Sequence, residues 1–196
     1  MALMPQALKC THFEMHTMVK ILRIFSAVWG GIGVALFLGY AVYRLLNHFL
    51  VIMDYDLTRL QWLALICNVL FMAYTEGYRG FQQGFAPRVA ARVLHLSQHA
   101  TWLNGLLAPA FCLGYFGTTR RRQFTVVIIS SMIFALVAVV SHLPQPWRAI
   151  VDAGVVVGLL WGLISFIVFL WLAFSRDEFP YSAELSRRWL ERAENC

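Results

Sequence analysis

Glu76, Arg79 and Gln83 open the stretch "YTEGYRGFQQGFAPRVAARVLHLSQH", residues 74–99, directly after an apolar run. An acid within or beside a membrane span is costly unless it meets a partner or a water-filled cavity, so Glu76 is a candidate site. Three residues apart on a helix, Glu76 and Arg79 suit a local ion pair, which would make the site structural. The sharper alternative takes Glu76 as an acid or base that relays a proton, binds an anionic headgroup or holds a quinone. Arg79, His99 and His142 would then be binding or proton-transfer groups.

Metal chemistry is the next question. His95 and His99, one turn apart on one helix, suit a shared small ion rather than two opposite axial ligands. His99 with His142 would be a better haem pair, but both fall at helix ends. In the N-terminal "CTHFEMHTM", Cys10, His12, Met15, His16 and Met18 mix ligands that accept Cu(I), at a spacing that matches no fixed metal motif. Neither haem nor copper is expected, and no other metal or cofactor site is read. The sequence contains no P-loop, GxSxG elbow, HExxH helix or CxxC pair. Asp54, Asp56 and Arg59 read as a solvated turn.

The elements that must carry these residues follow from composition. With 60% apolar and 13% charged residues and a positive mean hydropathy over 196 residues, the chain is a membrane protein. Its net charge of +6 comes from fourteen Arg and two Lys against ten acids. Such residues mark membrane edges, so nucleic acid is not an expected partner. Four separated cysteines give no disulfide framework. We expect an all-α, polytopic bundle of five transmembrane helices, at about 24–43, 60–85, 101–118, 124–140 and 151–174. Residues 1–23 read as a tail, disordered or preceding the true start at Met18. Residues 176–196 read as an interfacial amphipathic tail, with Ser182 as N-cap and Leu185 and Trp189 beside Arg188 and Arg192.

Small residues supply the packing signals. Gly77, Gly80 and Gly84 form one stripe if the second helix runs past Tyr74, and Gly154, Gly158 and Gly162 form another in the fifth. The second stripe fits either a helix of the same chain or another copy. After Pro87, Arg88, Arg92, His95 and His99 share one face of an amphipathic helix whose basic stripe would meet anionic headgroups.

Five spans dictate the sides. The 44–59 loop, the "RRRQ" turn at 120–123 and the C-terminal tail share one side. The N-terminus, residues 75–100 and "SHLPQPWR" take the other, with Glu76, His95, His99, His142, Arg148 and Asp152 together there. The triple Arg assigns the C-terminus to the cytoplasm, whereas Lys20 and Arg23 oppose the placement this forces on the N-terminus. Packing signals outnumber catalytic ones. The expected function is therefore association in a bacterial-type inner membrane, as subunit, assembly factor or scaffold, with membrane lipids and a homo-oligomer or other subunits as partners. The alternative is a membrane-embedded enzyme or carrier for a lipid, quinone or other amphiphile.

Overall fold

The computed structural model describes residues 4–50, 55–99, 105–176 and 178–185, with side chains from residue 17 onward save those of 48 and 49. Helix α1 (Met4–Leu50) is followed by α2 (Arg59–Met72), a π-helical segment (Ala73–Phe85) and α3 (Ala86–Gln98), which join end to end. A short α4 (Ala108–Leu113) precedes α5 (Arg120–Ser141) and α6 (Trp147–Ser175). Thr58 starts α2 with a capping box: its hydroxyl accepts from Gln61 N–H, and the Gln61 side chain accepts from Thr58 N–H at 2.9 Å.

Among the described residues, three helices are long and apolar enough to cross a membrane: Thr17–Asn47, Arg120–Ser141 and Trp147–Ser175. The expected count of five spans is not confirmed, and the described part of 101–118 shows no helix of spanning length. Residues 101–104 lie outside the described ones, and the rest holds a six-residue α4 that stops at Gly114, in the left-handed region with φ 90°. Six residues rise about 9 Å, far short of a roughly 30 Å core.

Contacts fix the helix directions. Asn68 Nδ2 donates to Ile150 O at 2.8 Å, Glu76 faces Gly158, and Phe81 faces Gly162, so the α2–π–α3 rod runs parallel to α6. Helix α1 runs antiparallel to that rod. Its Lys20, Arg23 and Ile24 meet residues 97–99, while Gly30 meets Leu96 and Gly31 meets Val93 and Leu170. The core lies between these three rods and α4, around Val34, Leu38, Val89, Val93, Leu96, Phe111 and Phe166. Helix α5 stands apart, with none of its 22 residues buried. Its Arg122 meets Glu184, beyond the end of α6, so α5 runs antiparallel to α6.

These directions correct the side assignment. His142, Arg148 and Asp152 lie where α6 begins; His95 and His99 lie at its far end, roughly 43 Å of helix away. The amphipathic readings change as well. Helix α3 is not laid on a surface: Ala86, Pro87, Val89, Ala90, Ala91, Arg92, Val93 and Leu96 are all buried. Residues 178–185 are irregular rather than helical, with Glu184 at φ 52°, and Leu185 forms an antiparallel bridge with Thr118. Arg188, Trp189 and Arg192 lie outside the described residues, as do the side chains of Cys10, His12, Met15 and His16.

Candidate functional site

Glu76, Arg79 and Gln83 sit on the π segment and are exposed. Hydrogen bonding five residues back widens the turn there, and such segments recur at functional sites. The Cβ of Glu76 lies against α6, 3.1 Å from where a Gly158 methyl would be. No ion pair joins Glu76 to Arg79 among the described residues, whose salt bridges are Arg88–Glu184, Arg122–Glu184 and Arg148–Asp152. Gln82 reaches α6 instead and accepts from Trp161 Nε1–H at 2.8 Å.

The wide turn also separates the glycines. A methyl on Gly77 would come within 3.0 Å of Trp161, so Gly77 permits the close approach to α6. The nearest atom to such a methyl on Gly80 is Thr75 O, and on Gly84 it is Arg79 O. Both belong to the same rod, five residues back, so neither glycine touches α6. From the other side, Gly154 meets Asn68 and Met72, Gly158 meets Glu76, and Gly162 meets Phe81. The glycine face of α6 is thus filled by this chain's own second rod.

Arg92 is the opposite kind of charge, 1% exposed. Its Nε donates to Ala183 O at 3.0 Å and its Nη1 to Cys112 O at 3.1 Å, tying α3 to α4 and the C-terminal strap. Gly114 is required here, because its φ of 90° disfavours a side chain and a Cβ would collide with the Arg92 guanidinium. Nearby, the Glu184 carboxylate lies 3.3 Å from Arg88 Nε and 3.6 Å from Arg122 Nε. Sequence reading missed Glu184 as a partner, and no local signal marks it, since it lies 96 residues from Arg88.

His95 and His99 stack at 5.0 Å between ring centroids, and His95 also stacks on Phe111. Among the described residues no three His, Cys, Asp or Glu side chains group as a metal site. His142 is exposed at the end of α5, and Arg148 pairs with Asp152 at 3.8 Å. A shallow cleft of about 560 Å³ opens at the other end, lined by Lys20, Arg23, Ile24, Ser97, Gln98 and His99.

The chain matches no family model, no curated protein and no solved structure. Its site must therefore be read from its own geometry.

Proposed function

We propose that the protein is a four-pass membrane protein that works by lateral association, with Glu76, Arg79 and Gln83 as its contact face. The carrying observation is depth. Gly158, opposite Glu76, lies seven residues into the apolar stretch that begins at Val151, and Gly162, opposite Phe81, lies eleven residues in. At 1.5 Å per residue, Arg79 is then about 10–16 Å inside a core roughly 30 Å thick, on the outside of the bundle. Charged groups at that depth need partners, and their own chain supplies none among the described residues. A helix of another membrane protein carrying complementary polar groups supplies them. The unpacked α5 supports the same reading. A carrier or enzyme role would need an enclosed space at Glu76, whereas the residue is exposed.

Four passes follow from the second rod running beside α6, although none of its three segments, of 14, 13 and 13 residues, is by itself long enough to span. Lys20, Arg23, Arg88, Arg92, Arg120, Arg121, Arg122 and Arg176 then gather at one end, against Arg44, Arg59 and Arg148 at the other. That asymmetry supports a cytoplasmic side for residues 17–23 and 178–185 and removes the conflict that Lys20 and Arg23 pose for five spans.

A photo-crosslinker at Gln83, in native membranes, should capture one protein adduct of defined mass. Adducts with lipid alone would refute the contact face. Single cysteines at Met18 and Gln123 should share accessibility, and one at Leu143 should have the opposite. Opposite labelling of Met18 and Gln123 would overturn the four passes.

A further inference from the structure

The cleft between α1 and the end of α3 carries chemistry that neither the contact face nor the fold uses. We propose that it is a phosphate site filled by the headgroup of an anionic membrane lipid. Two full cations line it, Lys20 exposed and Arg23 half-buried, with His99 and Gln98 at the rim and no carboxylate in the lining. Neither Lys20 nor Arg23 has an ion-pair partner among the described residues. The Arg23 Nε is shielded from solvent and has no hydrogen-bond acceptor among the described residues, which leaves it open to a ligand. The α3 C-terminus contributes only a partial negative charge, about half a unit, against the two side-chain charges. Ser97 adds no free donor, because its hydroxyl donates to Leu94 O at 2.7 Å.

Position selects a lipid over a free anion. Ile24 lines the cleft and begins the apolar stretch of α1, and Ile21 and Phe25 are exposed beside it. A phosphate held by Lys20 and Arg23 would leave its acyl chains along those side chains, with the charged head at the membrane edge. The cleft also lies at the end of the bundle where the basic residues gather, facing the leaflet that carries anionic lipid in the proposed orientation.

The test is native mass spectrometry of the full chain in neutral detergent, with phosphatidylglycerol, phosphatidylcholine or inorganic phosphate added. The wild type should retain phosphatidylglycerol, and Lys20→Gln with Arg23→Gln should lower that retention by at least ~10-fold, as expected for losing charge-assisted hydrogen bonds. Lys20→Arg with Arg23→Lys should restore retention, which separates charge from folding. Equal retention by the wild type and the Gln variant would overturn the site, as would equal retention of phosphatidylcholine by the wild type. Inorganic phosphate binding as tightly as phosphatidylglycerol would overturn the lipid assignment. The crosslink at Gln83 is independent of every one of these outcomes.

Discussion

The π segment and α3 are neighbours in sequence and carry similar residues, yet they treat charge in opposite ways. Arg92 on α3 is buried and spends two of its nitrogens on the carbonyls of Cys112 and Ala183. Arg88 shares the Glu184 carboxylate with Arg122. Arg79 on the π segment is exposed, with no ion pair among the described residues. Under the proposed association role, the difference separates two kinds of charge: one compensated within its own fold holds that fold together, and one left open at membrane depth is there for a partner. Three substitutions test that division.

Arg92→Ala should have the largest effect. It strands two carbonyls, empties a buried volume and frees the 178–185 strap, so a loss of about 3 kcal/mol is expected. Thermal unfolding in mild detergent reads this directly. An unchanged midpoint would place Arg92 in the same class as Arg79 and erase the contrast.

Gly158→Leu should come next, at about 2 kcal/mol, because the new side chain is driven into Glu76 and the Met72 backbone. Leu159→Ile, one residue on, should cost less than about 1.5 kcal/mol. If the two variants melt together, α6 and the second rod do not pack as closely as their glycines allow.

Glu76→Gln and Arg79→Gln should scarcely alter stability of the isolated chain, by within about 0.5 kcal/mol each, since both residues are exposed and the amide keeps the Glu76 stem that lies against α6. The same variants should abolish the crosslinked adduct at Gln83. A large stability loss in either would mean that the pair serves its own fold.

Much of this was legible in one dimension. Length and apolarity alone place α5 and α6, whose observed bounds enclose the expected 124–140 and 151–174. The Gly154, Gly158 and Gly162 spacing marks a close contact, because a bare helix face admits a neighbouring backbone wherever it meets one. Hydropathy summed along a chain is a local quantity, and so is the period of a stripe. Neither contains the identity of the neighbour, which is why the glycine face remained open between a second copy and the rod of Met72, Glu76 and Phe81. The stripe through Gly80 and Gly84 failed for a related reason. It assumed a 3.6-residue period through a segment where the turn widens, and each added residue per turn rotates side chains onto another face. Arg92 looked like a headgroup contact because basic residues on an amphipathic helix usually are. Only the return of Ala183 and Cys112 from distant parts of the chain makes its burial affordable. The path of 105–118 was tertiary too: α4 is apolar enough to resemble part of a span, but it packs beside Gly30 and Gly33 of α1 and turns at Gly114, a reversal that no local hydropathy contains.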